Sequence, residues 1–433
     1  MKIEELYQLY KECRSVSTDS RKLTPGSIFF ALKGENFNGN QYAMKALDNG
    51  CSYAVVDEPA LPRDHRLLAF PDVLAALQEL AQYHRSQLKI PFIGITGSNG
   101  KTTSKELIAA VLSRRYNVCA TQGNLNNHIG VPLTLLSVHE HDIAIIEMGA
   151  NHIGEIAFLS KIANPDFGII TNIGRAHLEG FGSPEGVVTA KSELYEHLSQ
   201  ENSLAFVDSD NTLLRNLARG KNLECVFYGN SPESLCSGEI IDNSEFLRVR
   251  ITLKAENHVL DIQTSLIGDY NLSNLLAAAC IGNHFKVSPE EIAAALAAYA
   301  PTNSRSQLVQ TAGNKIVLDA YNANPSSMEG AIKNFLSLQE DAPKMIILGD
   351  MLELGKYSTS EHRGILELLK KNNFARIILV GPEFCSVSET LPQKCFRNVE
   401  EAIEHFRSNP VKDHSILLKG SRGIRLEKLL EVL

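Results

Sequence analysis

The chain has 433 residues, 44% of them hydrophobic and 21% charged, enough for two to four domains that each bury their own core. A net charge of −8 argues against nucleic acid as the main partner, because a phosphate backbone calls for a basic surface, so an anionic ligand must be held by local groups. Eight cysteines, at 13, 51, 119, 225, 236, 280, 385 and 395, include no CxxC pair, which argues against a zinc site and suits reduced thiols in the cytosol.

The opening stretch MKIEELYQLYKECRS is amphipathic and charged, unlike a signal peptide, and no run approaches the roughly 18 apolar residues of a membrane span. A cytoplasmic chain with no membrane partner is expected. Strand-like IFFAL (28–32) and YAVV (53–56) follow, then a helix from Asp72 to about Leu88 that links this region to the next. The apolar run at Ile90–Ile95 predicts a buried strand and Ser104–Arg115 an amphipathic helix, with a glycine-flanked turn between them.

That turn, within IPFIGITGSNGKTT, is a candidate phosphate loop. Gly97 and Gly100, enclosing Ser98 and Asn99, allow a tight bend that points backbone N–H groups at an anion. Lys101 would meet the outer phosphates and the Thr102 hydroxyl, beside Thr103, could ligate Mg²⁺, which implies ATP or GTP. Counted from Gly97 the loop is one residue shorter than GxxxxGK[ST]; the bland alternative is a glycine turn between core elements.

Further on, IAIIEM (143–148), HIGEIAFLSKIA, FGIITNI (167–173) and a helix from about Pro184 to His197 alternate apolar strands with helices. This pattern predicts a parallel sheet covered on both faces. The segment from about Tyr228 to Ile267 reads as antiparallel strands or an edge insertion, and helices return at 271–284 and 288–299. A hinge candidate, APTNSRSQ (300–307), precedes strands near IVLDAY, MIILGD, RIILV and SILLKG. The expected architecture is α/β in three domains: a small N-terminal one (1–84), a central doubly wound phosphate-loop domain with a mostly parallel sheet (85–311), and a Rossmann-like C-terminal one (312–433).

Glu147 closes an apolar strand, placing a carboxylate where doubly wound sheets bind ligands, next to Thr102 as a candidate Mg²⁺ ligand; a helix N-terminal acid is the alternative. His177, in NIGRAHLEG, again follows a strand, and Lys191 lies on the next helix. Taken singly they read as a structural histidine and a solvated lysine.

The blocks TGSNGKTTSKE, TQGNLNNHIGVPLTLL, IIEMGANHIGEI, ITNIGRAHLEGFGS, AKSELYE, YNANPSSM, GDMLELG and LLKGSR together resemble the Mur ligase family over nearly the whole chain. The resemblance, most specifically GNLNNHIGVP and YNANPSSM, implies an ATP-dependent ligase joining D-Ala-D-Ala to UDP-N-acetylmuramoyl-tripeptide. An acyl phosphate would be the intermediate and the enzyme would act as a cytoplasmic monomer. It implies carbamylation of Lys191 by CO₂, a second Mg²⁺ on Lys191 and His177, and a first on Thr102 and Glu147, with Lys101 stabilising the transferring phosphate. Asn271 and Asn274 match adenine-side asparagines, with helix capping as their alternative, while Arg305 and Asp319 match nucleotide contacts.

Thr18, Asp19, Ser20 and Arg21 match the UDP-sugar side, an exposed turn being the alternative, and Asn126 and Asn127 are further substrate candidates. Asn324, Pro325 and Ser326 stand where the sibling that adds diaminopimelate has Asn-Pro-Arg, and Lys419, Ser421 and Arg422 are candidates for the dipeptide side. Two departures stand out: Asn38-Gly39-Asn40 replaces an Asp-Gly-His form, and a lone Asp319 replaces two acids. Same-class rivals are another Mur-type or folylpolyglutamate-synthase-like ligase. A catalytically silent nucleotide-binding homologue is the rival of another class, and no Asn-Lys-x-Asp guanine signature is present.

Overall fold

Apolar runs bounded by turn residues build three stacked α/β units, seen in a computed structural model that describes residues 1–58, 64–254, 257–302, 305–338, 342–388 and 394–433. The first sheet has four parallel strands in the order Val16–Ser17, Ile28–Phe30, Tyr53–Val56, Leu67–Ala69. Strand Ile28–Phe30 stops two residues short of the expected end because the chain turns into a small two-stranded ribbon, Lys33–Gly34 with Phe37–Asn38. Helix Val73–Gln87 then carries the chain onward, its first turn capped by the Asp72 carboxylate accepting from the Ala75 N–H.

Among the described residues the central sheet has nine strands. From one edge they run His258–Gln263, Arg248–Leu253, Cys236–Asp242, Glu224–Tyr228, Leu204–Asp208, Phe167–Ile170, Phe92–Thr96, Ile143–Glu147 and Val118–Ala120. The last seven are parallel, Cys236–Asp242 joining Glu224–Tyr228 through a single parallel pair, and Arg248–Leu253 and His258–Gln263 extend the sheet by antiparallel pairing, as the 228–267 pattern implied. Strands Phe92–Thr96 and Ile143–Glu147 are buried throughout, as continuous apolar runs under two helical layers must be. Their register, Ile95 opposite Glu147 and Thr96 opposite Ile170, brings three carboxyl ends together at the middle of the sheet.

The following helix is Lys101–Leu112, three residues earlier than predicted, because Gly100 takes φ +78° and lets Lys101 open the helix directly. The C-terminal sheet has six strands, Gln307–Gln310, Asn314–Asp319, His414–Lys419, Lys344–Gly349, Arg376–Val380 and Lys394–Phe396, antiparallel only at the first pair. It begins at Gln307, within the stretch assigned to the central domain from sequence. Of the hinge candidate 300–307, residues 303 and 304 lie outside the described residues.

One expectation is overturned. Cys385 and Cys395 form a disulfide, because helix Pro382–Val387 and strand Lys394–Phe396 fold together and set their Cα atoms 5.6 Å apart. The other six cysteines are free. Among the described residues no helix is long and apolar enough to cross a membrane.

Candidate active site

The turn after strand Phe92–Thr96 is held by its neighbour strand. Ser98 N–H donates to the Asn172 carbonyl at 2.9 Å, and Asn99 N–H to Asn172 Oδ1 at 3.0 Å. In return Asn172 Nδ2 and the Thr171 hydroxyl donate to the Asn99 carbonyl at 2.9 and 2.6 Å. Gly97 sits at φ +142°, where a Cβ would lie 2.1 Å from Thr171 Oγ1, so glycine is required by both conformation and space. Beyond Gly100 the backbone enters helix Lys101–Leu112, whose N-terminus faces the cleft. The Lys101 ammonium folds back onto the Gly97 and Ser98 carbonyls at 2.7 and 3.3 Å. Burial lowers its pKa to about 8, with Glu147 opposing the shift and Arg305 adding to it.

Glu147 is 1% exposed. Its Oε1 accepts from Asn126 Nδ2 at 2.8 Å and from the Thr102 hydroxyl at 3.3 Å. Its Oε2 receives no hydrogen bond and lies 3.8 Å from the buried Lys105 ammonium. An anionic oxygen without a donor, beside a hydroxyl at a phosphate loop, is the chemistry Mg²⁺ takes when it shares ligands with phosphates. Among the described residues no cluster of three or more His, Cys, Asp or Glu side chains could hold a metal unaided.

Around the loop lies a cavity of about 820 Å³. Of the candidates from sequence, its walls include Ser98, Asn99, Gly100, Lys101, Thr102, Thr103, Asn126, Asn127, Glu147, His177, Asn271, Asn274, Arg305, Asp319, Asn324, Ser326 and Lys419. Asn271 opens helix Asn271–His284 but does not cap it: its amide donates to the Ile267 carbonyl, and Asn274 links it to Ser104 of the phosphate-loop helix. Arg305 stacks on the Tyr321 ring at 3.8 Å, with Arg422 over the same ring at 5.3 Å. Asp319 accepts from the buried Lys419 ammonium at 2.6 Å across paired strands.

Other candidates do different work. Asn127 Oδ1 accepts from the Ile129 and Gly130 N–H groups in the turn that leads into helix Gly130–Leu135, and Pro325 is the first residue of helix Pro325–Ser337. Ser421 ties two loops, donating to Ala323 O and accepting from Leu352 N–H. Thr18, Asp19, Ser20 and Arg21 do not line the cavity; Arg21 is spent on a bidentate pair with Asp19 in an exposed turn. Asn40, in the departed Asn-Gly-Asn loop, is buried and exchanges hydrogen bonds with Asp57, a structural role.

Lys191 is 1% exposed and not part of the cavity wall. Its ammonium has the Ala150 carbonyl at 3.5 Å and the face of Phe181 at 5.2 Å. Burial, and then repulsion from Lys101, bring its pKa down to about 7. His177 meets the same Phe181 ring edge-on, with the ring centroids 6.2 Å apart. The two are therefore neighbours of one ring, with His177 alone reaching the cavity.

Sequence reasoning passed over Lys105, Arg175, Tyr270 and Glu353. The C-terminal domain docks on the central one through Asn324 Nδ2 to Asn99 Oδ1 of the phosphate loop at 2.8 Å and through Arg175, beyond strand Phe167–Ile170, which pairs with Glu361 at 2.8 Å and with Glu329. The Arg175 N–H also donates to Ser326 Oγ at 2.9 Å. Glu353 meets His177 Nδ1, and its carboxyl is held below the usual range by that hydrogen bond against the effect of burial. All of these but Tyr270 stand inside or beside the quoted blocks, yet only long-range pairing reveals what they touch.

Matches to known proteins follow this geometry. Family descriptions fit three consecutive stretches: "Mur ligase family, catalytic domain" at 12–85, "Mur ligase middle domain" at 95–282 and "Mur ligase, glutamate ligase domain" at 304–422. The UDP-N-acetylmuramoyl-tripeptide–D-alanyl-D-alanine ligase of Bacillus subtilis is 35% identical over 427 residues, 96% of this chain and 92% of its own length. A crystal structure of MurF from Acinetobacter baumannii superposes with a TM-score of 0.88 at 31% identity, covering 99% of this chain and 98% of that one. MurF of Thermotoga maritima, solved in complex with ADP, gives 0.85 at 26% identity over 97% of both chains. With three domain descriptions in register and full-length relatives above 30% identity, the chain belongs to the Mur ligase family.

Proposed function

We propose that this chain is the ATP-dependent ligase that joins D-Ala-D-Ala to the terminal carboxylate of UDP-N-acetylmuramoyl-tripeptide, completing the pentapeptide precursor of peptidoglycan in the cytoplasm. The observation that carries this reading is a cavity lined both by the phosphate loop and by Asn324 and Ser326 of the C-terminal domain. Nucleotide and amine are thereby brought to one space. The names of the full-length relatives support the substrates, and the ADP complex of the Thermotoga relative supports ATP.

In this reading the loop amides and the N-terminus of helix Lys101–Leu112 hold the phosphates. Lys101, freed from the Gly97 and Ser98 carbonyls, follows the γ-phosphoryl group as charge develops on it. Thr102 and Glu147 would hold one Mg²⁺, His177 and a carbamylated Lys191 a second, and the metals would screen the repulsion between substrate carboxylate and triphosphate. The depressed pKa of Lys191 leaves part of the amine uncharged near neutrality, which is the form that combines with CO₂. Asn271, Asn274 and the Arg305–Tyr321 stack would bind the nucleoside, with Asp319 and Lys419 beside it.

The carboxylate takes the γ-phosphoryl group to give an acyl phosphate and ADP. The dipeptide amine then attacks the acyl carbon, loses a proton and expels phosphate. The docked C-terminal domain excludes water that would hydrolyse the acyl phosphate. Phosphate release from ATP and Mg²⁺ tests this: it should require both the tripeptide and D-Ala-D-Ala. Release independent of D-Ala-D-Ala, or no release from folded, ATP-binding protein, would overturn the assignment.

A further inference from the structure

Beside the cavity a polar contact between the central and C-terminal domains joins His177 to Glu353, two residues 176 positions apart. Both have left-handed backbones, at φ +50° and +62°, a conformation that non-glycine residues keep only where the surrounding structure over-determines it. The surroundings do so twice. Glu179 N–H donates to the Glu353 carbonyl at 3.0 Å, and Gly355 packs so closely that a Cβ would lie 3.1 Å from Glu179 Cβ. The loop Glu353–Gly355 therefore docks on the segment 177–179 by backbone as well as side chain.

A carboxylate only accepts hydrogen bonds, so the hydrogen shared with Glu353 sits on His177 Nδ1. His177 Nε2 has no hydrogen-bond partner among the described residues, and the residue lines the cavity. A histidine whose Nδ1–H is held by a carboxylate while Nε2 is open has the arrangement of a metal-ligating imidazole with its supporting shell.

We propose that Glu353 is a positioning residue: delivered by the C-terminal domain, it fixes the tautomer and orientation of His177 so that Nε2 is presented as a metal ligand. This rests on the reading of His177 as a Mg²⁺ ligand. Setting of the metal site is thereby tied to arrival of the domain that brings the amine. Such coupling delays activation of the carboxylate until the acyl phosphate can be used.

The test compares the full-length wild type with Glu353→Ala and Glu353→Gln, both at a half-exposed side chain, with thermal unfolding to verify folding. Protein labelled with ¹⁵N only at histidine, with His177 assigned by loss of its signals in His177→Gln, reports the tautomer directly. Protonated Nδ1 and bare Nε2 are expected in the wild type and in Glu353→Gln, whose amide oxygen still accepts, and a mixed tautomer in Glu353→Ala. Mn²⁺ titration with a non-hydrolysable ATP analogue should show the weaker site lose roughly 10–100-fold in affinity in Glu353→Ala and recover in Glu353→Gln. The proposal is overturned by protons on both wild-type ring nitrogens, by an unchanged tautomer in Glu353→Ala, or by unchanged Mn²⁺ affinity. Ligase turnover by the wild type is measured alongside; its failure would remove the proposed function and leave the tautomer result standing.

Discussion

Lys191 shows how burial sets the working charge of a single residue. Lys191 has its pKa lowered from 10.5 to about 7, so its charged form is disfavoured in the folded state. The penalty is complete below pH 7 and is relieved as pH rises from about 7 towards 10.5, because there the unfolded chain binds the proton and the folded one does not. Stability of the unmodified protein should therefore rise with pH across that window. Lys191→Met should flatten this rise by up to about 1.4 kcal/mol per pH unit, read by urea denaturation at pH 7, 8 and 9. It should also abolish ligation. An identical pH slope in wild type and variant would refute the assigned shift. Glu147→Gln should weaken Mn²⁺ binding about tenfold while leaving Lys105 buried without its counter-charge, so calorimetry is expected to show lower stability as well. Glu147 was legible in sequence because a strand end announces itself by its apolar run. Lys105 was not, since a lysine on an amphipathic helix reads as solvated until the strand beneath it is known.

At the scale of elements, the strand–turn–helix around Gly97 was legible because its glycines, Lys101 and flanking periodicity are all local. Its start was misjudged by three residues because a left-handed Gly100 can begin a helix with no conventional cap. Gly97→Ala places a Cβ against Thr171 and forces an unfavourable φ, and should cost roughly 1–3 kcal/mol or more on denaturation and weaken ATP-analogue binding. Wild-type nucleotide affinity in that variant would show that the turn need not hold its present shape. The Cys385–Cys395 bond was missed for the opposite reason: the pairing depends on how a helix and a strand return on each other. Likewise Thr18–Arg21 carried a family pattern, yet Arg21 turns to its own neighbour Asp19, a contact as local as any but invisible to motif matching.

Across the whole molecule, the alternation of strands and helices gave three units, but not how the third sits on the second. That arrangement depends on Arg175, Asn324 and Glu353, each reaching a partner more than 150 residues away. Arg175→Ala removes a fork between Glu329 and Glu361 and leaves two carboxylates facing the vacated space. The variant should populate an undocked C-terminal domain, seen as a larger radius of gyration by small-angle scattering and a raised KM for the dipeptide. Scattering identical to wild type would show that the remaining contacts suffice.

The central claim is a carboxylate activated by phosphoryl transfer and captured by a dipeptide amine. UDP-N-acetylmuramoyl-tripeptide carrying ¹⁸O in its terminal carboxylate, incubated with the enzyme, ATP, Mg²⁺ and D-Ala-D-Ala, should give the pentapeptide and inorganic phosphate bearing one ¹⁸O. Unlabelled phosphate, or no pentapeptide, would contradict it.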